Sequence, residues 1–185
     1  MILRQIALAA LLALTACGGT DTLYTAPPAE VTDRVASRYR SVEVLDVSLP
    51  AYAAGDELLV SSEDGTLETG GVLWADNPTR EVTLSLSRAL SKITGARVAP
   101  APWPFDSFPN ARVDVRVERF LAEGGALVLS GQYFVADLDG RQRDRARLFD
   151  LRAPLPPEAE LPGVLAARSA LIADLAVMIA RDGLS

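Results

Sequence analysis

Few side chains in this sequence are equipped for covalent or metal chemistry. The chain has no histidine, one cysteine (Cys17) and one lysine (Lys92). It therefore lacks the parts for a Ser-His or Cys-His nucleophile, an imidazole metal site or a cysteine zinc knot. Ser85, Ser87 and Ser91 stand in no Gly-x-Ser-x-Gly elbow. Gly70-Gly71 precedes a strand-like run and Gly124-Gly125 joins two such runs, so neither opens a helix onto a phosphate. The carboxylate pairs Asp137/Asp139 and Glu63/Asp64 fall at turns, where a solvated acid is the ordinary occupant. These residues lead us to expect no catalytic group, no metal, no cofactor and no enzymatic activity. Arg141, Arg143, Arg145 and Arg147 alternate, which on a strand would line four guanidiniums along one face. Their planar forks suit anionic lipid headgroups or an acidic partner. An edge strand guarded by charge against self-pairing also accounts for them, and is the more ordinary explanation.

The elements that must carry these groups begin with composition. The chain has 185 residues, 49% apolar and 23% charged, the balance of a single folded domain. Eighteen Lys and Arg against 24 Asp and Glu leave a net charge of −6, which argues against nucleic acid as a partner.

The N-terminus has the layout of an export signal: Met1, Arg4, then an apolar run from Ile6 to Ala16. As a helix the run would reach about 16 Å, half of a bilayer core of about 30 Å, so residues 1–16 read as a signal peptide rather than a span. Leu14-Thr15-Ala16-Cys17-Gly18 resembles the bacterial lipobox, whose cysteine receives diacylglycerol and becomes the acylated N-terminus. A lone cysteine cannot close an internal disulfide, and consumption as a thioether resolves that in an exported chain. At about 0.8 kcal/mol per buried CH₂, two or three acyl chains hold stably. Gly18 and Gly19 follow in place of the aspartate that resembles an inner-membrane retention signal. The expectation is an outer-membrane lipid anchor facing the periplasm. Residues 17–39, with Pro27 and Pro28 and no sustained periodicity, read as the lipidated N-terminus and a flexible tether spanning on the order of 25 Å.

Val42, Val44, Val47 and Leu49 suggest a first strand ended by Pro50. Residues 58–61 and 66–74 flank Glu63-Asp64-Gly65 as a hairpin. Asn77-Pro78 starts a helix over 78–94, stopped by Gly95, with Val82, Leu86, Ala89, Leu90 and Ile93 on its apolar face. Four prolines make 99–110 a rigid loop whose Trp103, Phe105 and Phe108 either pack down or bind. Strands over 112–121, 126–138 and 141–152 form a meander joined by Gly124-Gly125 and Asp139-Gly140. A last helix over 163–181 carries bulky residues on one face and alanines on the other, open to another element, another subunit or solvent. Arg168 falls within the bulky face and requires a carboxylate or a route to water. The expected fold is α/β: one domain over 40–185, a mixed, largely antiparallel sheet with two packed helices.

The lipobox, the hairpin, Trp74-Ala75-Asp76-Asn77-Pro78, the amphipathic helix, Pro102-Trp103 and the run from Arg112 to Phe120 together resemble the ABC-type transport auxiliary lipoprotein family, which includes the paraquat-inducible intermembrane transport lipoproteins. Family members show Trp-Ala-Glu-Pro before the first helix, Pro-Trp soon after it and Arg-Phe ending the next strand, here Arg119-Phe120. This chain departs in placing Asp76-Asn77 where the family has one acidic residue. The resemblance spans about residues 23–181. It implies a non-enzymatic, outer-membrane-anchored periplasmic partner of an MCE-domain protein and an ABC-type or related inner-membrane transporter, moving lipid between the membranes; association into a homo-oligomer is a further expectation, with its subunit number open. Trp74 and Trp103 read as core rings. The alternative is an assembly or pilot lipoprotein for an outer-membrane complex, with no transport role.

Overall fold

Alternation of small apolar residues with charge sets the central strand, β6 (Ala111–Glu123). Ala111, Val113, Val115 and Val117 are buried along one side, while Arg112 and Arg116 face water. The computed structural model describes residues 22–61, 66–156 and 160–185. In it β6 pairs antiparallel with β7 (Ala126–Asp137), and β7 with β8 (Arg145–Pro154). On the other flank, β2 (Ser41–Val44) lies parallel to both β6 and β5 (Arg97–Pro100), giving the order β5-β2-β6-β7-β8. A smaller sheet joins β1 (Leu23–Tyr24) in parallel to β4 (Leu67–Trp74), which pairs antiparallel with β3 (Glu57–Ser61). The expected hairpin is therefore present, but in a sheet of its own, and its turn lies outside the described residues. Gly124 and Gly125 close the β6–β7 hairpin at φ +58° and +75°, the two positive angles that a two-residue turn of this hand requires.

Beyond the short α1 (Ala51–Ala54), two helices cover the inner face of the larger sheet. The first, α2 (Pro78–Thr94), starts as its sequence dictates: Asn77 Oδ1 accepts from the Arg80 amide, Pro78 follows, and Gly95 ends the helix in the left-handed region. Its expected face is buried throughout, with Leu86, Leu90 and Ile93 against Val42, Val44 and Val113. The second, α3 (Leu161–Met178), runs on into a π-helical turn, Ile179–Leu184. This segment is long and apolar enough to cross a bilayer, yet 56% of its most apolar stretch is buried inside the domain, as in a core helix. Its alanine face divides: Ala173, Ala176 and Ala180 are buried, whereas Ala166 and Ala170 meet solvent.

Two expected boundaries move. Residues 22–39 are not a free tether. Leu23 and Tyr24 pair with Leu73 and Trp74, Ala29 is buried, the Val35 amide donates to the Ile93 carbonyl, and Asp33 pairs with Arg181. The segment is a strap across both helices. Its extended backbone transfers its hydrogen bonds to them, including one from Ser169 Oγ to the Pro27 carbonyl. Val31 and Val35 pack on the core from extended chain. Strand β8 begins at Arg145 rather than residue 141, because Asp137 Oδ2 accepts from the Gln142 amide and Asp144 Oδ1 from the Asp137 amide, which folds the preceding residues into a wide loop.

Candidate functional site

A β-bulge in β6 builds the site. Between Val117 and Arg119 the register with β7 slips by one, so Phe120, not Arg119, turns inward. Arg119 is left outside beside Asp150, Glu123 and Ser130. Gly131 lies opposite the bulge, where the backbones approach so closely that a Cβ would come within 2.2 Å of the Arg116 carbonyl oxygen. Phe120 then meets Trp74, the last residue of β4, across a pocket of about 270 Å³. Its floor is Trp74, Phe120, Leu165 and Arg168, all buried, and its half-buried lip includes Leu58, Val72, Leu161 and Val164.

Arg168 is the charge in this otherwise apolar cleft, and it is only 5% exposed. Its Cζ lies 4.8 Å from the Trp74 ring centroid and 4.2 Å from that of Phe120, so two aromatic faces share the cation. Nε and Nη2 both donate to Glu81 Oε2 at 3.4 Å, and Glu81 Oε1 accepts from Ser85 Oγ. Both contacts to Glu81 are long for a charge-assisted pair, whose usual spacing is about 2.7–2.9 Å. Nη1 donates to no described residue. Burial pulls the Arg168 pKa below its ordinary value, and the Glu81 charge counters this in part. Arginine starts so far above neutrality that the group stays a cation at physiological pH. The cleft is thus a greasy socket with a fixed, incompletely satisfied positive charge at its base.

The expected arginine row is not assembled. Only Arg145 and Arg147 lie on β8. Arg145 Nη1 donates to the carbonyls of Asp182 and Ser185 and so ties down the C-terminal turn. Arg147 is exposed and reaches its neighbour's carbonyl, that of Ala146. Arg143 is exposed in the loop before β8. Arg141 lines a wider polar cavity of about 490 Å³ with Arg38, Arg40, Asp137 and Asp139, so it shares that cavity with carboxylates and not with the other three arginines of the row. Cys17 lies outside the described residues. Trp74 is buried as expected, though at the pocket floor. Trp103 instead folds over its own loop, half-buried, edge-on to Phe105 at 4.9 Å, with its amide donating to the buried carboxylate of Glu43. Phe108 is 92% exposed. The sequence signal for the pocket was Arg168 on an apolar helix face; its carboxylate, 87 residues away, had no local signature.

Fold and pocket define a single-domain mixed α/β protein with an apolar cavity over a buried cation. More particularly, the chain belongs to the ABC-type transport auxiliary lipoprotein family, whose model, described as the ABC-type transport auxiliary lipoprotein component, matches residues 22–180. No curated protein matches it in sequence. Among solved structures it is similar to a protein described as uncharacterized, at 21% identity and a TM-score of 0.70, covering 89% of this chain and 99% of that one. It is also similar to protein XCC0632 from Xanthomonas campestris, at 16% identity and a TM-score of 0.64, covering 85% and 92%. A PelC dodecamer from Paraburkholderia phytofirmans aligns at 14% identity and a TM-score of 0.41, covering 85% and 96%.

Proposed function

We propose that this protein is an outer-membrane-anchored periplasmic lipoprotein that serves, without catalysis of its own, as the auxiliary component of an ABC/MCE-type system carrying lipid between the two membranes. The observation that carries the reading is the family match over residues 22–180, directly behind the lipobox that ends at Cys17. An apolar pocket of about 270 Å³ in a domain of this family supports a role beside acyl chains rather than beside a polar solute. Strand β8 is the last of its sheet, with Leu148 74% exposed, which supports association of the domain with further copies. The anchor fixes the protein at one membrane, and its partners are an MCE-domain protein and the inner-membrane transporter.

The test is affinity recovery of the tagged full-length chain from bacterial envelopes after brief chemical crosslinking, with the eluate identified by mass spectrometry. The expected result is co-recovery of an MCE-domain protein and an ABC-type or related transporter subunit. Recovery of an outer-membrane complex with neither of them would instead favour the assembly or pilot role.

A further inference from the structure

We propose that the pocket over Arg168 is a binding site for a single long-chain fatty carboxylate, with the carboxylate at Arg168 Nη1 and the alkyl chain leaving between Leu58, Val72 and Val164. The inference rests on the lipid-handling reading above for its choice of an acyl chain. Three features of the cavity carry the rest.

Its size comes first. At about 270 Å³ the pocket lies just under the range of about 300–1,000 Å³ that holds drug-sized ligands, so it admits one chain segment and a compact head, and excludes a two-chain phospholipid with its glycerol core. Its wall chemistry comes second. The lip is aliphatic, whereas the floor holds a buried guanidinium, the order in which an alkyl chain and a terminal anion would sit. The third is the state of that guanidinium. Glu81 is met only at 3.4 Å through Nε and Nη2, and Nη1 has no acceptor among the described residues. A carboxylate entering over Nη1 would replace solvent at that donor with a charge-assisted hydrogen bond, in a cleft whose other lining residues are apolar. The rings of Trp74 and Phe120, 4.8 and 4.2 Å from Cζ, hold the fork in place before any ligand arrives, which lowers the ordering cost of binding.

The full-length chain in phosphatidylcholine nanodiscs would be exposed to two photo-crosslinking probes: palmitate with a mid-chain diazirine, and hexadecanol with the same group. The expected result is labelling of peptides containing Leu58, Val72 or Val164, with palmitate exceeding hexadecanol by about tenfold at equal concentration, the scale of one charge-assisted bond. Arg168→Met combined with Glu81→Gln, which removes both charges together, should bring the two probes to parity. Val164→Trp, which fills the mouth and leaves the Arg168–Glu81 pair intact, should abolish labelling by both. Equal labelling of the unaltered chain by the two probes, or palmitate labelling confined to other peptides, would overturn the proposal. Selective palmitate labelling by a chain that recovers no transporter subunit would leave the site standing and sink the transport reading; the reverse pattern would do the opposite.

Discussion

Breaking the Arg168–Glu81 pair from either side should cost more than removing it whole. Arg168 is 5% exposed, so its charge cannot be handed to water without opening the domain, whereas the Glu81 side chain, 18% exposed, reaches water in part. Arg168→Met keeps the stem, and its thioether can rest on the same two rings. It strands Glu81, however, and loses the cation from the faces of Trp74 and Phe120. Losing one partner of a buried pair costs about 3–5 kcal/mol. The residual exposure of Glu81 places this variant near the lower end, about 3 kcal/mol. Glu81→Gln retains an acceptor for the guanidinium but not its counter-charge, and should cost about 2 kcal/mol. The double variant has no charge left to strand and should fall within about 1 kcal/mol of the starting protein, because replacing a buried pair by uncharged groups is often close to neutral. Urea unfolding of the four proteins gives the coupling from their midpoints at constant slope. Additive single costs, or an Arg168→Met cost below about 1 kcal/mol, would refute the claim that the guanidinium is a buried charge dependent on Glu81.

Gly131→Ala should destabilise the chain by about 3 kcal/mol, since its Cβ would sit 2.2 Å from the Arg116 carbonyl oxygen and 2.9 Å from Val117 Cα, backbone atoms that cannot swing aside; a loss below about 0.5 kcal/mol in the same urea assay would mean that the bulge is not so tightly closed. Asn77→Ala removes the acceptor for the Arg80 amide and should cost about 1 kcal/mol, with Asn77→Asp close to neutral; an unchanged unfolding midpoint for the alanine variant would dismiss the cap. Asp174 has its pKa raised by burial and then by the Asp33 charge, so its protonated form is favoured in the fold. The stability this group contributes is present in full below its unfolded-state pKa and is lost as pH rises through the folded value. Asp174→Asn should therefore raise Tm near about pH 7 and leave it unchanged near about pH 3; a gain confined to the acid side would reverse the assignment.

What the sequence made legible follows from how locally each signal is encoded. The α2 helix was readable to the residue because Asn77, Pro78 and Gly95 act on backbone within one turn of themselves. The β6–β7 hairpin was equally plain, since Gly124-Gly125 serves the turn that its two positive angles require. The strap over 22–39 was not, because an extended segment that hydrogen-bonds to two helices through Pro27, Val35 and Arg38 has no period of its own. The arginine row failed for a related reason. Alternation from Arg141 to Arg147 resembles a strand, but side-chain bonds from Asp137 and Asp144 to backbone amides take the chain into a loop first. Arg168 was conspicuous as a charge on an apolar face. The pocket around it depends on a one-residue bulge at Val117/Arg119 and on Trp74 arriving from another sheet, neither of which leaves a mark in local sequence.

The claim beneath the functional reading is that Cys17 carries the protein on a membrane. Mass spectrometry of the N-terminal peptide, taken from outer-membrane fractions separated on a density gradient, tests it most directly. The mature chain should begin at Cys17, with acyl chains on that residue, and Cys17→Ala should leave uncleaved precursor outside the outer-membrane fraction. An unacylated chain still beginning at Met1, recovered from the cytosol, would contradict it.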